Sequence, residues 1–143
     1  VGGIKMARAY AKRLSAGLAI IDKRRISPEK AEVMHILGET EGKNVVIVDD
    51  LIATGGSLIE AVEALKKAKA KSIWAAITHG VLSGPALERI DKCKGLEKLL
   101  ITDSIPLDDN KKHPRIQVLS VADLLGEAIK RIHNEESVSS LFD

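Results

Sequence analysis

The sequence predicts an α/β fold with a mostly parallel, twisted sheet and helices on both faces. Short apolar runs that suit buried strands alternate along the chain with segments of helical spacing, an order typical of parallel strands joined by helices. The glycines concentrate in loops after the strands, where open α/β sheets bind their ligands. At 143 residues the chain has the length of one domain, so we expect a single domain over residues 1–143.

The first third of the chain contains a helix, two strands and a polar segment. Residues 5–15 have helical spacing with basic side chains on the outer face, and residues 18–22 (LAIID) form an apolar run that ends in Asp, the pattern of a buried parallel strand. Residues 23–32 are polar and contain Pro28, so they predict a long exposed loop. The next strand is predicted at residues 45–49 (VVIVD).

The rest of the chain continues the alternation. A helix begins near Leu58, where apolar residues recur at i, i+3, i+4 and i+7 and predict one buried stripe. Further strands are predicted at residues 73–78, 98–103 and 117–120, and further helices near residues 85–90 and at 121–132.

Composition excludes several classes of function. The formal net charge is only +2, which argues against a general nucleic-acid binder, and one Trp, one Tyr and one Phe cannot form a base-stacking platform. The single cysteine, Cys93, favours a reducing cytoplasm, and we expect it to be exposed or half-buried without a catalytic partner. No apolar run reaches membrane-spanning length. Because the chain begins at Val1 without an initiator Met, we interpret it as part of a longer protein.

The most informative stretch is VVIVDDLIATGGS at residues 45–57. Asp49 and Asp50 follow a buried strand, where carboxylates can accept hydrogen bonds from a vicinal diol such as that of ribose. Residues 54–57 (TGGS) then lead directly into a helix, so their amides and the helix N-terminus favour an anion. A diol site at one end and a phosphate site at the other predict a sugar-phosphate ligand.

Simpler interpretations exist for parts of this stretch and for other polar residues. Ser57 and Glu60 have the S-x-x-E spacing of a capping box, and the glycine pair is also typical of an ordinary strand-to-helix turn. A Walker A loop is excluded because its motif is absent. His79 is expected to be a hydrogen-bonded structural residue, and Ser83 is expected to cap the helix that follows Pro85.

Several segments resemble a known family. VVIVDDLIATGGS is similar to the phosphoribosyl-diphosphate loop shared by type I phosphoribosyltransferases and ribose-phosphate pyrophosphokinases. AIIDKRR (19–25), EVMHILGE (32–39), THGVLSGPALERI (78–90) and HNEESVSSLF (133–142) resemble the pyrophosphokinases alone. The chain is therefore identified as a member of the ribose-phosphate pyrophosphokinase family, covering its C-terminal domain, and the resemblance implies a type I phosphoribosyltransferase-like fold.

The resemblance also implies a reaction, in which the diphosphoryl group of Mg-ATP passes to the C1 hydroxyl of ribose 5-phosphate and gives 5-phosphoribosyl 1-diphosphate and AMP. By the same resemblance, Lys23 is the catalytic lysine and Arg25 is catalytic and contacts the sugar phosphate, while Asp49 and Asp50 hold the ribose hydroxyls. The 5-phosphate is expected at Ala53, Thr54, Gly55, Gly56 and Ser57. Ala53 stands where bacterial members often have Asp, and Met6 where Arg is common.

Cofactor and partners are implied in the same way. Mg²⁺ is expected with ATP as co-substrate, and because the ATP-binding half of the family is N-terminal, no metal ligand is expected in this chain. Phosphate and ADP are expected as effectors of a cytoplasmic homo-oligomer, a hexamer in the family, with no nucleic-acid or membrane partner. We expect the chain alone to be inactive, and the loop 23–32 to be mobile until nucleotide binds.

Three alternatives were weighed. A type I phosphoribosyltransferase would use the same loop, but that class lacks AIIDKRR. A signalling receiver domain also has paired aspartates, but Thr78 and His79 follow the strand where it needs its phospho-accepting Asp. A non-catalytic regulatory relative of the pyrophosphokinase stays open from the sequence.

Overall fold

The computed structural model describes residues 3–24 and 33–142, which form four α-helices and six strands. The helices are α1 (Ile4–Arg13), α2 (Gly56–Lys67), α3 (Ala86–Lys92) and α4 (Ala122–His133). The strands are β1 (Ile20–Arg24), β2 (Val33–Leu37), β3 (Asn44–Ile52), β4 (Ser72–Gly80), β5 (Lys98–Thr102) and β6 (Ile116–Leu119). Each predicted helix has a counterpart within a few residues, so the periodicity of the sequence located them correctly.

The main sheet contains four parallel strands in the order β3-β4-β5-β6. α2 joins β3 to β4, and α3 joins β4 to β5. Since the strands are parallel, their carboxyl ends meet at one edge of the sheet, and the loops after β3 and β4 lie side by side there. The predicted mostly parallel α/β fold with helices on both faces is confirmed.

The hydrophobic core lies between one face of this sheet and helices α2 and α3. Strand residues that alternate along β4 point into it, and Ala75 among them is fully buried. From α2, Leu58, Val62 and Leu65 enter the same core at helical spacing. This packing fixes the position of α2 against the sheet, and with it the loop that leads into the helix.

The opposite face of the sheet is only partly covered. α1 lies over β3, and a groove of about 740 Å³ is lined by Tyr10 of α1, by Leu14 just after this helix and by Val46 on the sheet. Trp74 is 38% exposed, and its indole N–H donates to Glu97 at 3.1 Å. None of the helices in residues 3–24 and 33–142 is long and apolar enough to cross a membrane.

The N-terminal strand was predicted wrongly. The run 18–22 was expected to be a parallel strand of the main sheet, but β1 (Ile20–Arg24) pairs antiparallel with β2 in a separate two-stranded sheet. β2 was not predicted, and residues 23 and 24, which were assigned to the loop 23–32, belong to β1. Ile21 of β1 and Ile36 of β2 pack against the core, which explains why residues 18–22 are apolar although they lie outside the main sheet.

The prediction for Cys93 was also wrong. It was expected to be exposed or half-buried, but it is 3% exposed and belongs to the core. Cys93 caps the C-terminus of α3, where the chain turns toward the buried Leu96. A thiol behaves as a small apolar group in such a place, so burial needs no chemical role.

Candidate functional site

The loop between β3 and α2 has the backbone geometry of an anion site. Gly55 is the N-cap of α2 and has φ +74°, a left-handed conformation that side-chain-bearing residues avoid. The first amides of a helix lack intrahelical partners and carry partial positive charge, and the first turn of α2 contains no acidic residue to offset it. Amides of this turn can therefore bind an anion.

Three consecutive carbonyl groups of this loop are held on the side of α3. Backbone amides of residues 81–83 donate to the carbonyls of Ile52 and Ala53 at 3.0–3.2 Å. Arg89, on α3, donates from Nη1 to the carbonyl of Thr54 at 2.9 Å. In a planar trans peptide the N–H points opposite to the preceding C=O, so the amides that follow are turned away from α3.

A cleft of about 290 Å³ lies beside this loop, and its lining includes no residue of α3. Asp49 lines it together with residues 53–57, so one carboxylate and a row of neutral donors share one space. Its apolar walls are Ile47, Leu51, Ile52, Leu58, Ala61 and Ile77. The exposed side chains of Thr54 and Ser57 add two hydroxyls. This arrangement can accept hydrogen bonds at one end and donate them to an anion at the other.

The two aspartates do not share this cleft. Consecutive residues of a strand point to opposite faces of the sheet, and Asp50 is not among the residues that line the cleft. The carboxylate of Asp49 accepts a hydrogen bond from the amide of Asp50 at 3.0 Å. Of the predicted ribose-binding pair, the structure brings only Asp49 together with residues 53–57.

Of the two predicted catalytic residues, only Lys23 lies in the described part of the chain, and only its backbone is described. Lys23 lies in β1, where its backbone is paired with Met34. Arg25 and the rest of the predicted loop, residues 25–32, lie outside the described residues. Their roles therefore stay predictions.

Neither the capping box offered as an alternative for Ser57 nor the cap expected from Ser83 is present. Gly55, rather than Ser57, is the N-cap of α2, and no side chain caps this helix, so the S-x-x-E spacing does not form a capping box. Pro85 is the N-cap of α3 without a side-chain bond, and Ser83 contributes its carbonyl to the amide of Ala86 at 3.2 Å. The hydroxyl of Ser57 is consequently not used as the cap of α2.

A polar cluster lies at the carboxyl ends of β4 and β5. His79 Nδ1 is 2.8 Å from the hydroxyl of Ser104, as expected for a hydrogen-bonded structural histidine. The hydroxyl of Thr102 donates to the carbonyl of Thr78 at 2.8 Å. These bonds tie the two strand ends together beside the loop after β3.

Sequence reasoning missed Arg89. Its contact joins residues 35 positions apart, and a single arginine on the outer side of a short helix carries no local signal. Only the packing of α3 beside the loop makes it part of this site.

The described residues offer no protein-built metal site. Within residues 3–24 and 33–142, no three His, Cys, Asp or Glu side chains lie close enough together to hold a metal ion. The donor set of the cleft, with one carboxylate and neutral groups, does not fit a resident divalent cation.

Comparisons with known proteins show the family of the chain. The family model for the phosphoribosyl synthetase-associated domain matches residues 24–143. The chain is 53% identical over 142 residues to a ribose-phosphate pyrophosphokinase of Oceanobacillus iheyensis, covering 99% of this chain and 44% of that protein. It is 53% identical over 144 residues to the enzyme of the same name from Brucella melitensis, covering 100% of this chain and 46% of that protein.

A solved structure gives the same result for the fold. The crystal structure of phosphoribosylpyrophosphate synthetase from Mycobacterium smegmatis matches with a TM-score of 0.86 and 34% identity, covering 94% of this chain and 43% of that one. The chain thus spans less than half the length of the relatives that it matches. With the family model matched over most of the sequence, the chain belongs to the phosphoribosyl synthetase-associated domain family, the family of the ribose-phosphate pyrophosphokinases.

Proposed function

We propose that this chain carries the ribose 5-phosphate site of a ribose-phosphate diphosphokinase. This enzyme transfers the diphosphoryl group of Mg-ATP to the C1 hydroxyl of ribose 5-phosphate and forms 5-phosphoribosyl 1-diphosphate and AMP. The observation that carries the proposal is the shared cleft of Asp49 and residues 53–57, in a chain whose relatives are named ribose-phosphate pyrophosphokinases.

The cleft suits the two ends of the sugar phosphate. The amides of residues 54–57, at the positive end of α2, are suited to the 5-phosphate, and the hydroxyls of Thr54 and Ser57 can add donors. Asp49 is suited to accept hydrogen bonds from the ribose hydroxyls. We assign Asp50, which points to the other face of β3, a smaller contribution to ribose 5-phosphate binding than Asp49.

The transfer step needs cations near the phosphoryl oxygens, because charge on these oxygens must be stabilised in the transition state. The resemblance assigns this role to Lys23 and Arg25. A fixed sugar phosphate also supplies catalysis by position, since it holds the C1 hydroxyl for in-line attack.

Other parts of the proposal rest on family membership alone. Mg²⁺ would enter as the chelate of ATP, and we assign no residue of this chain to it. ATP contacts are assigned chiefly to the part of the relatives that this chain does not span. Family membership also suggests that the protein acts in nucleotide biosynthesis as a cytoplasmic homo-oligomer. Phosphate and ADP are the suggested effectors.

The test is a titration of the full-length protein with ribose 5-phosphate, followed through the backbone amide resonances of residues 53–57. We expect these resonances to shift at lower concentrations of ribose 5-phosphate than of ribose or inorganic phosphate, and we expect AMP release to depend on the sugar phosphate. Binding without AMP release would favour the non-catalytic regulatory relative. Unshifted loop resonances at saturating ribose 5-phosphate would refute the site.

A further inference from the structure

We propose that Arg89 is a positioning residue of the phosphate site. By holding the carbonyl of Thr54, it directs the amide N–H of Gly55 toward the cleft where the 5-phosphate is proposed to bind. This inference rests on the proposed function, because it assigns a residue of α3 to the same site.

The contact with Arg89 is made by one peptide group, between Thr54 and Gly55. Arg89 Nη1 lies 2.9 Å from the carbonyl oxygen of Thr54, a good hydrogen bond with a charged donor. The Thr54–Gly55 peptide is planar, so the N–H of Gly55 points away from Arg89. The cleft is lined by residues of β3, β4, α2 and the loop between β3 and α2; Gly55 is among these residues, and no residue of α3 is.

This peptide is the one in the loop that most needs a tether. The two preceding carbonyls, of Ile52 and Ala53, are held by backbone amides of residues 81–83, which any sequence could supply. Gly55 follows Thr54 with φ +74°, and glycine populates both signs of φ about equally. Without Arg89 the Thr54–Gly55 peptide can rotate and present its carbonyl oxygen, which repels an anion, instead of its N–H.

Gly56, the second glycine of the pair, leaves space for the guanidinium of Arg89. A Cβ built on Gly56 would lie 3.3 Å from Arg89 Nη1, closer than ordinary van der Waals contact. The bare backbone at residue 56 therefore leaves room for the side chain that orients residue 55. The two positions therefore favour glycine for different reasons: Gly55 has a left-handed φ, and Gly56 leaves space for the Arg89 side chain.

Simple charge attraction is the competing explanation, since Arg89 is exposed and carries a cation close to the loop. The two roles differ in salt dependence. Attraction between exposed charges is screened within about 10 Å at 0.1 M salt and about 3 Å at 1 M, whereas a hydrogen bond that fixes a peptide is much less sensitive.

The experiment compares Arg89→Ala, Arg89→Lys and Gly56→Ala in the full-length protein. Lys92→Ala is the matched control, because Lys92 is an exposed cation on the same helix that pairs with Glu88 rather than with the loop. Affinity for ribose 5-phosphate is measured by calorimetry at 0.1 M and 1 M salt. Hydrogen exchange of the Gly55 amide is measured without ligand, and circular dichroism verifies folding.

We expect Arg89→Ala to bind ribose 5-phosphate at least about tenfold more weakly, the loss typical of one charge-assisted hydrogen bond, at both salt concentrations. KM for ribose 5-phosphate should rise more than kcat falls. Gly56→Ala should weaken binding in the same direction, Arg89→Lys should give an intermediate loss because lysine offers a donor without the planar fork, and Lys92→Ala should match the wild type. The Gly55 amide should exchange faster only in the Arg89 and Gly56 variants.

Each contrary result is informative. Equal affinity of Arg89→Ala and Lys92→Ala, or a loss that disappears at 1 M salt, would overturn the positioning role while leaving the proposed function intact. Failure of the wild type to bind ribose 5-phosphate would instead refute the proposed function. If Arg89→Ala does not fold, Gly56→Ala and Arg89→Lys decide the question, and unchanged Gly55 exchange in both would overturn the inference.

Discussion

At the residue scale, the end of β3 shows how one strand gives two neighbouring carboxylates different surroundings. Asp49 points to the face that carries α2 and therefore lines the cleft with the loop, whereas Asp50 points to the other face. Their charge and size are the same, and only the alternation of the strand separates their environments. The pair is consequently a natural matched set for mutagenesis.

We predict that Asp49→Asn raises KM for ribose 5-phosphate by about tenfold or more, because a contact made in both the ground state and the transition state is lost. The turnover number should change less. Asp50→Asn is the control and should raise KM by a smaller factor in steady-state assays of the full-length protein. A larger effect at Asp50 than at Asp49 would contradict the placement of the sugar in this cleft.

For Lys23 we predict the opposite kinetic pattern. Lys23→Ala should remove about 3–4 kcal/mol of transition-state stabilisation and so lower kcat by a factor of hundreds or more. Binding of ribose 5-phosphate should stay nearly intact. Single-turnover measurements and calorimetry separate the two quantities. Near-normal turnover of this variant would place the catalytic role elsewhere.

At the element scale, the helices differ in how many apolar side chains they bury. α2 and α3 bury apolar side chains in the core, whereas α4 contains no buried residue. The apolar residues of α4 lie at the surface, with Ile129 at 68% exposed, while Ile90 of α3 is fully buried. Stability should therefore depend far more on α3 than on α4.

Truncating the same residue type in both helices tests this contrast. Ile90→Ala should lower the free energy of unfolding by about 2–5 kcal/mol, because it removes buried methyl groups and leaves a cavity. Ile129→Ala should change that free energy by about 0.5 kcal/mol or less in the 143-residue chain, as exposed substitutions do. Urea denaturation of the two variants measures both values, and equal losses would show that α4 is packed more tightly than its exposure indicates.

The start of α4 carries a pH-dependent contact. Hydrogen bonds from the hydroxyl of Ser120 and from the amide of Val121, the latter at 2.8 Å, hold the pKa of Asp103 below its ordinary 3.8. Because the folded-state pKa is lowered, this stabilisation is fully present well above pH 3.8 and is lost as the pH falls through the folded-state pKa. We predict that the α4 amides lose protection below pH 3.8, exchanging faster relative to their intrinsic rates at each pH.

Hydrogen exchange at several pH values, compared with Asp103→Asn, measures this effect. The variant lacks the titrating carboxylate, so its α4 amides should show less acceleration in that acidic window. The same acceleration in both proteins would assign the pH dependence to other groups.

At the scale of the whole molecule, the chain is a four-stranded parallel sheet with a well-packed core on one face and a groove of about 740 Å³ on the other. It spans 44% of the Oceanobacillus relative and 43% of the Mycobacterium structure. The cleft proposed for ribose 5-phosphate is lined by residues of this chain, whereas most ATP contacts are proposed for the part of the relatives that this chain does not span. Binding and turnover should therefore separate when the chain is studied alone.

We predict that the 143-residue chain releases no AMP in the presence of ATP, Mg²⁺ and ribose 5-phosphate, since phosphoryl transfer depends on a positioned nucleotide. The same sample should still bind ribose 5-phosphate. The full-length protein is the positive control in a coupled assay for AMP. Release of AMP that depends on ribose 5-phosphate, from a sample of verified mass, would refute this prediction.

The sequence by itself determined the features that depend on neighbouring residues. The strand β3, the amphipathic α2 and the glycine loop between them were all predicted, because strand runs, helical periodicity and turn residues are local properties. The proposal that this loop binds an anion also came from the sequence, since it rests on glycines at a helix N-terminus, and it stays a prediction.

Tertiary structure alone decided the features that depend on distant residues. β1 pairs with β2 outside the main sheet, and an apolar run in the sequence does not indicate which strand it will pair with. Cys93 is buried because the chain turns into the core where α3 ends. Arg89 donates a hydrogen bond to Thr54, which lies 35 positions earlier in the sequence. Each of these depends on which elements pack together, a choice made by burial of the whole apolar surface rather than by any short stretch of sequence.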